Sequence, residues 1–551
     1  MLTAIRVGNF KAFAESQRIP VRPLTLIYGA NSSGKSSVIH SLILARHAQE
    51  TGDLDIHRSS VGGESVDLGG FRQYVHRREP NRRVEWSMDI DTSSFKDRVA
   101  ELFAPVKQIT VTLNLGISLD DQDRPIPDAF PEIHTYELFA DNQTLMRMSR
   151  RKDGRLQLDR LDHEHPVFRE VIKALVLLST TTETIHPEDF EGLDDAIADL
   201  VPEIIAKSTK FLPDGLTESS VFSPGGQLSL FPISKGRRKE DLSAAMRSFL
   251  PRKIDEMMRG IAQVATGELM RLRYLGPLRS YPPRHLAFAQ HHDPNWYAGG
   301  GYAWDVVRRD SLVRRTVNEW LSAPDRLQTP YELVVRDLVG IDQLDEPLLE
   351  GLEQIELDME PDYDDEPTPT GAYPVVKDPE VEASKLRDII RSSDIEKLNE
   401  LIMIDRRSST IVSHRDVGIG VSQVLPVLVG AYAARNEIIA IEQPEIHLHP
   451  ALQADIGDVF IHSALGEGKN RFLIETHSEH ILLRLMRRIR ETSSGKLPKE
   501  LPSVRPEDVM VLFVEPDGSR SIIHEMPLNE KGELVKEWPG GFFEEDFEEL
   551  F

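Results

Sequence analysis

Two motifs near opposite ends of this 551-residue chain constrain its fold more than any other feature. The first, at residues 29–36, matches G-x-x-x-x-G-K-[ST] in full and lies between an apolar segment, 24–28, and a segment with helical spacing, 37–46. A glycine-rich loop between a strand and a helix is the context in which this motif binds phosphate. The second motif, at 438–450, places acidic residues after an apolar strand pattern. Because one nucleotide needs both motifs, we expect the intervening chain to leave one core and return to it.

The chemistry of the first motif predicts how ATP would be held. Its glycines let backbone N–H groups close around phosphate oxygens, Lys35 would neutralise the β and γ phosphates, and the Ser36 hydroxyl would hold Mg²⁺. We therefore expect this loop to bind the nucleotide through Gly29, Asn31, Ser33, Gly34, Lys35, Ser36 and Ser37.

Three segments near the other end are typical of the remaining parts of such a site. The strand pattern at 437–441 ends at Glu442, where the Mg²⁺-holding acid of P-loop enzymes belongs. Downstream, a second strand pattern at 471–474 leads to His477. Upstream, a glycine-rich turn before a helical pattern offers N–H groups to an anion, and its candidate binding residues are Gly418, Gly420, Ser422 and Gln423. Each segment alone also fits a purely structural role, but their order after a phosphate loop favours a nucleotide site.

In this order, the motifs resemble the ABC-type AAA family ATPases of the SMC, RecF and OLD-like group, specifically the stand-alone OLD-like ATPases of bacterial defence systems, which lack a fused Toprim nuclease. The resemblance is carried by Asn9-Phe10-Lys11, Gln73 in the place of the Q-loop glutamine, the segment 274–279, the signature 418–423, the Walker B and D-loop segment 442–450, the switch histidine His477 and the tail 538–543. It implies that ATP is sandwiched between the P-loop of one subunit and the signature of another, with Mg²⁺ on Ser36, Gln73 and Glu442. A homodimer or higher oligomer would follow.

One departure from the family pattern concerns hydrolysis. ABC ATPases place two acids here, whereas this chain has Gln443 after Glu442, and a neutral amide cannot accept the proton that a general base takes. Gln443 could orient the attacking water, as a glutamine does in Ras-type GTPases. Alternatively, Glu445 could supply the carboxylate, or hydrolysis could be so slow that ATP mainly holds a closed dimer. We favour slow hydrolysis with Glu445 assisting, and we expect Lys35 and His477 to complete the catalytic set.

The resemblance implies an ATPase that acts as a molecular switch in anti-phage defence. Such a protein would act on or sense DNA or a phage factor and control a separate effector, either a nuclease or a toxin. Because a whole Toprim domain needs ~100 residues, we expect none after His477. Two alternatives stay open: a near-inactive ATP-dependent scaffold or clamp that assembles a partner, and a DNA-repair ATPase similar to RecF and SMC proteins.

Composition excludes several classes of site and partner. The chain has no cysteine, which excludes disulfides, cysteine nucleophiles and thiolate metal sites. No apolar run reaches the ~18 residues needed to span a bilayer, and the N-terminus does not resemble a signal peptide. We therefore expect a cytoplasmic protein without a membrane partner. The formal net charge of −25 argues against a protein coated overall for DNA binding.

Two segments of the chain are candidate partner sites. The segment 235–284, which begins at Lys235 and ends at Arg284, is rich in Lys and Arg and contains helical spacing. It fits either a solvated amphipathic arm or dimerisation helix, or a local DNA-contacting surface. The segment 227–231, which begins at Gln227 and ends at Phe231, resembles the pentapeptide by which bacterial proteins dock on the DNA sliding clamp. An apolar patch that docks on its own domain is the commoner explanation of such a segment.

Together, these patterns predict an α/β fold: a P-loop ABC-type ATPase head, with a mixed twisted sheet and flanking helices, split by a large, mainly helical insertion. We expect the head to comprise residues 1–90 and 385–525. The insertion would comprise 91–290, with a strand-rich start, a helical basic arm and a flexible loop at 212–239. A return segment at 291–384 would carry an acidic linker at 360–371, and a tail would follow at 526–551.

Overall fold

The computed structural model describes residues 1–179, 186, 190–208, 210–221, 238–279, 295–324, 326, 328–339, 384, 388, 397–412 and 419–539. The chain forms two compact units. The first comprises residues 1–280, 292–303 and 418–551, and the second comprises 281–291 and 304–417. Gly418, the segment 227–231, the linker 360–371 and both ends of the segment 235–284 lie outside the described residues.

The described strands follow the chain as β1 (Leu2–Gly8), β2 (Gln17–Pro20), β3 (Leu24–Gly29), β4 (Val84–Asp91), β5 (Gln108–Gly116), β6 (Glu132–Ala140), β7 (Gln143–Arg150), β8 (Leu156–Leu161), β9 (Leu272–Leu275), β10 (Tyr331–Val339), β11 (Lys397–Asp405), β12 (Thr410–Val412), β13 (Ile438–Glu442), β14 (Arg471–Glu475), β15 (Val509–Asp517) and β16 (Arg520–Glu525).

The described helices are α1 (Lys35–Thr51), α2 (Phe71–Tyr74), α3 (Asp97–Leu102), α4 (Pro166–Ser179), α5 (Leu193–Leu200), α6 (Glu218–Val221), α7 (Arg238–Met270), α8 (Tyr302–Arg309), α9 (Ser311–Ser322), α10 (Ile419–Ala433), α11 (Pro450–Leu465) and α12 (Glu479–Ser493). Within the part of the chain that the structure describes, we find no helix with the length and apolar character needed to cross a lipid bilayer.

A mixed sheet of six described strands positions the predicted nucleotide motifs. Its order is β16-β15-β3-β14-β13-β9, and every neighbouring pair is parallel except β15 with β16. β3, β13 and β14 are buried along their whole length, and α1 and α11 pack against this sheet. Because parallel strands end at the same edge of a sheet, the final residues Gly29, Glu442 and Glu475 lie at one edge. The α/β fold class predicted from the sequence is confirmed.

A second sheet in the first unit joins the N-terminal strands β1 and β2 to the strands β4 to β8. Its order is β2-β1-β4-β5-β6-β7-β8, and all its pairs are antiparallel. Helix α7 packs against α1, α4 and α5, and its buried side chains belong to the same apolar core as the sheet. Apolar side chains with helical spacing in α7 are buried at Met246, Leu250, Met257, Ile261 and Leu269, and Val264 is half-buried.

Several basic residues of α7 are paired within the chain. Arg247 lies 3.2 Å from Glu203, Lys253 lies 2.9 Å from Glu256, and Arg259 lies 2.7 Å from Asp255, each measured from nitrogen to carboxylate oxygen. These carboxylates partly neutralise the helix. DNA contact through this segment therefore stays a prediction.

The second unit contains a three-stranded antiparallel sheet, in the order β10-β11-β12, among its described residues. Helix α9 begins after Asp310, whose carboxylate accepts hydrogen bonds from the backbone N–H groups of Leu312 and Val313. The Asn318 side chain joins α9 to β10, because its amide donates to the carbonyl of Leu333 and its oxygen accepts from the Leu333 N–H, both at 2.9 Å.

Candidate nucleotide-binding site

The loop between β3 and α1 has the backbone that its glycines permit. Gly29 has φ of 145° and Gly34 has φ of 97°, a region that other residues rarely adopt. A Cβ atom on Gly29 would lie 2.4 Å from the carbonyl oxygen of Val514, and one on Gly34 would lie 2.4 Å from Cβ of Ala12. The tight loop therefore depends on glycine at both positions.

The loop presents donors suited to an anion. Lys35, at the first turn of α1, is 4% exposed, and its Nζ donates to the carbonyl oxygens of Gly29 at 3.0 Å and Ala30 at 2.8 Å. Burial lowers the pKa of Lys35, while the nearby charges of Glu475, Glu442 and Glu445 oppose this shift. The buried Ser33 hydroxyl has no hydrogen-bond partner among the described residues. A lysine, an unpaired hydroxyl and the N-terminus of a helix together fit a phosphate group.

The remaining predicted loop residues differ in accessibility. Asn31 is exposed, Ser36 is half-buried and Ser37 is buried, with the Ser37 N–H bonded to the carbonyl of Gly34 at 3.0 Å. Asn31 and Ser36 are therefore accessible to a ligand without a change in the loop. A role for the Ser37 side chain stays a prediction.

Two carboxylates lie at the ends of the paired strands β13 and β14. Tyr274 Oη donates to Glu442 Oε1 at 3.0 Å, and Ser36 Oγ donates to Glu475 Oε2 at 2.7 Å. Burial first, and then the charge of Glu442, raise the pKa of Glu475 to about 7, although Ser36 and Lys35 partly oppose the shift. The sequence predicts Glu442 as a Mg²⁺ ligand and assigns no role to Glu475. The same signal, an acid that ends a buried apolar strand, marks both residues.

These oxygen atoms fit Mg²⁺. The ion prefers hard oxygen ligands and usually takes one or two carboxylates together with substrate phosphates. Within the described residues, no cluster of three or more acidic or histidine side chains could hold a metal ion by itself. Ser36, Glu442 and Glu475 are the residues that would hold the ion.

Gln73 is the third predicted Mg²⁺ ligand. It belongs to α2, is exposed, and lines an open cavity of about 520 Å³ together with Lys11, Asp67, Arg77 and Arg78. No hydrogen bond joins its side chain to Ser36 or Glu442 among the described residues. Its metal role stays a prediction.

The backbone after β13 turns sharply at Gln443. Its φ is 48°, its N–H donates to the carbonyl of Glu475 at 2.7 Å, and its side chain makes no hydrogen bond with a described residue. Glu445 is held differently, because its carboxylate accepts from Thr476 Oγ1 and from the His477 N–H, both at 2.8 Å. Burial raises the pKa of Glu445, and these bonds oppose the shift. Burial, with the charge of Lys35, lowers the pKa of His477.

Arg279 connects the signature helix with the end of β13. Its guanidinium is 5% exposed and donates to the carbonyl oxygens of Gln423 at 3.2 Å, Glu442 at 3.1 Å and Gln443 at 3.2 Å. The Gln423 amide returns a bond to the carbonyl of Arg279 at 3.1 Å. The family resemblance includes the segment 274–279 but assigns no role to Tyr274 or Arg279. Tyr274 and Arg279 are distant from residue 442 in the sequence, so local sequence patterns do not predict these contacts.

The signature residues lie at the start of α10. Ser422 is 2% exposed, and Gly420 approaches the D-loop so closely that a Cβ atom would lie 2.9 Å from the carbonyl oxygen of His447. Two polar side chains, Lys11 and His40, also connect to Glu442. Lys11 Nζ lies 2.6 Å from His40 Nδ1, and His40 Nε2 lies 3.7 Å from Glu442 Oε1.

Two segments of the chain match known families. Residues 264–483 match the family described as "AAA domain, putative AbiEii toxin, Type IV TA system". Residues 504–551 match a second family, described as "Protein of unknown function (DUF3696)". No curated protein matches the chain significantly.

Part of the chain is therefore similar to an AAA domain. The first match includes Tyr274, Arg279, Glu442 and His477, and the phosphate loop at 29–36 lies outside it. The second match includes β15 and β16. β15 pairs with β3, the strand that precedes the phosphate loop.

Solved structures of SMC heads also align with the chain. A head bound to the C-winged helix domain of ScpA shares 9% identity, covers 96% of this chain and 98% of its own, and gives a TM-score of 0.34. A head domain with an extended coiled coil bound to the C-terminal domain of ScpA, derived from Pyrococcus furiosus, shares 10% identity over 96% of both chains, with a TM-score of 0.34. The head domain from Thermotoga maritima shares 8% identity, covers 96% of this chain and 99% of its own, and gives a TM-score of 0.32.

Proposed function

We propose that this protein is an ATP-binding and ATP-hydrolysing molecular switch. The observation that carries the proposal is the meeting of Lys35 and Ser36 with Glu442 and Glu475 at one sheet edge. Lys35 would neutralise the phosphates, and Ser36 with the two carboxylates would hold Mg²⁺, which supplies further charge neutralisation on the β and γ phosphates. In phosphoryl transfer, positioning and charge stabilisation provide most of the catalysis.

Slow hydrolysis follows from the residues near the predicted attacking water. Gln443 can orient a water molecule but cannot take its proton. The raised pKa of Glu445 suits a general base, but both of its oxygens already accept hydrogen bonds from residues 476 and 477. Glu445 would have to weaken one of these bonds to reach water. We therefore propose that Glu445 assists a slow step and that His477 responds to the γ phosphate.

The proposed role is the ATPase subunit of a multi-component anti-phage defence system in the cytoplasm. Support comes from the resemblance to OLD-like ATPases and from the description of the matching family, which names a toxin of a toxin–antitoxin system. The subunit would form a homodimer through ATP, sense DNA or a phage factor, and control a separate nuclease or toxin. A scaffold that binds ATP almost without turnover is the second candidate, and Gln443 favours it.

A turnover assay with and without DNA separates the two candidates. We expect slow ATP hydrolysis that DNA accelerates in the wild type, and loss of nucleotide binding in Lys35→Ala, because the phosphate cation is removed. Lys173→Ala is the matched control, since Lys173 is exposed on α4 and pairs with Glu170. Tight ATP binding with negligible turnover, with or without DNA, would instead support the scaffold.

The Gln443→Glu variant tests the water-activating position in the same assay. We expect faster hydrolysis, because the new carboxylate can take a proton where the amide cannot. Turnover equal to that of the wild type would show that residue 443 does not activate the water.

A further inference from the structure

Arg279 is a buried cation whose bonds to described residues all go to backbone carbonyl oxygens. They end on two separate elements: Gln423 in the signature helix α10, and Glu442 with Gln443 at the end of β13. Burial lowers the pKa of Arg279 to about 10, which leaves it charged at neutral pH. Bonds from a charged donor are stronger than neutral ones, so the two elements are joined firmly.

Two further contacts reinforce this connection. The Gln423 side chain donates back to the carbonyl of Arg279, so the link between α10 and Arg279 consists of two opposed bonds. The start of α10 also lies against the D-loop, because Gly420 has space only for hydrogen beside the His447 carbonyl. A movement of the end of β13 would therefore displace residues at the start of α10.

The elements that Arg279 joins have different tasks in the proposed function. The end of β13 carries Glu442, which would hold Mg²⁺ beside the chain's own nucleotide. The start of α10 would face the nucleotide of a partner subunit. Gln443 belongs to the turn after β13, where its φ is 48°. Its carbonyl oxygen also accepts a hydrogen bond from Arg279, so this bond holds the turn in place.

We propose that Arg279 is a positioning residue that transmits nucleotide binding at a chain's own P-loop to its own signature segment. The inference rests on the proposed function only in that ATP binds this P-loop; it requires neither dimerisation nor hydrolysis. With Glu442 held in an occupied site, Arg279 would hold Gln423 in place and prepare the signature for a partner. A planar guanidinium holds its donors in a rigid fork that fits carbonyl oxygens on two elements, whereas an ammonium group is a compact point charge on a flexible stem.

Amide hydrogen exchange measured by mass spectrometry, with and without Mg²⁺-ATP at a protein concentration that keeps the chain monomeric, tests the proposal. In the wild type we expect slower exchange on ATP binding at both 438–446 and 419–426. In Arg279→Lys we expect the slowing to persist at 438–446 and to be lost at 419–426. Arg273→Lys is the matched control, because Arg273 is exposed on β9 and pairs only with Glu437 at 3.2 Å among the described residues. It should behave like the wild type.

A second variant addresses folding of the buried site. Gln423→Met keeps the volume and removes the bond returned to Arg279, so it should reduce the slowing at 419–426 without changing 438–446. Slowing only at 438–446 in the wild type, or full slowing at both segments in Arg279→Lys, would overturn the inference. Neither result would contradict the proposed function, whereas absence of ATP binding by the wild type would contradict both.

Discussion

Lys11 shows how a single residue near the site can oppose folding. It is half-buried, and burial lowers its pKa to about 8, while the charges of Glu442 and Asp67 partly oppose the shift. His40 contacts its Nζ, and Arg77 and Arg78 line the same cavity. Between pH 8 and the ordinary pKa of about 10.5, the unfolded chain binds more protons at this position than the folded chain. The contribution of Lys11 to the free energy of unfolding therefore rises with pH in that window and is lowest below pH 8.

The Lys11→Met variant isolates this effect. We expect the unfolding midpoint of the variant to exceed that of the wild type at pH 7.5, because the variant buries no charge, and the difference to shrink by pH 10. Urea unfolding of both proteins at the two pH values measures it. A difference that is the same at both values would show that Lys11 is not desolvated.

Tyr274 is predicted to act on Mg²⁺ through Glu442. Groups that orient a ligating carboxylate commonly change metal affinity when they are removed, and we expect Tyr274→Phe to raise the Mg²⁺ concentration needed for half-maximal ATP binding by about tenfold. A Mg²⁺ titration with a fluorescent ATP analogue measures this. Tyr136→Phe, in the buried face of β6, is the control and should not move the midpoint. An unchanged Mg²⁺ requirement in Tyr274→Phe would remove Tyr274 from the site.

At the scale of elements, local patterns in the sequence predicted the nucleotide core. Continuous apolar runs next to motif residues indicated the strands that the structure has as β3, β13 and β14, and helical spacing indicated α1 and α10. Such runs are informative because a parallel strand is buried on both faces. The phosphate loop has a fixed length and glycine pattern, so its fold follows from local sequence alone.

The contacts between distant elements could not be predicted in the same way. The bond from Ser36 to Glu475 joins residues 439 positions apart, and the bond from Tyr274 to Glu442 joins residues 168 apart. These pairs arise from strand order, which periodicity does not encode. The sheet that contains β1 and β4 is extended by β5 to β8. This extension depends on which strands pair with one another, and no single segment of the sequence predicts it.

Two glycine variants test the packing of the signature helix. We expect Gly420→Ala to lower ATP turnover while ATP still binds the P-loop, because the new methyl group must displace the backbone carbonyl of His447. A turnover assay and a nucleotide-binding titration measure the two effects. Turnover equal to that of the wild type would contradict the close approach.

Gly267→Ala is the matched control, since Gly267 is exposed in α7 and its Cβ would meet no atom within 4 Å. Replacing a helical glycine by alanine should raise stability by about 0.5–1 kcal/mol and leave turnover unchanged. Thermal unfolding measures the gain.

At the scale of the whole molecule, the net charge and the proposed nucleotide site both affect the association of two chains. A chain with a formal net charge of −25 repels its own copies at long range, so dimer formation needs a specific short-range contribution. ATP placed between a P-loop and a partner's signature would provide it, because each nucleotide would contact both chains. Nucleotide state would then control the association of two chains, as a switch requires.

Complementation between two defective chains tests this central claim most directly. Lys35→Ala removes the P-loop cation, and Ser422→Asp places a carboxylate where the signature would face phosphate. We predict by analytical ultracentrifugation that the wild type dimerises with Mg²⁺-ATP and that each variant alone stays monomeric. An equal mixture should recover a dimer, because a mixed dimer contains one intact pair of P-loop and signature. Dimerisation of Ser422→Asp like the wild type, or a monomeric mixture beside a dimeric wild type, would contradict the account.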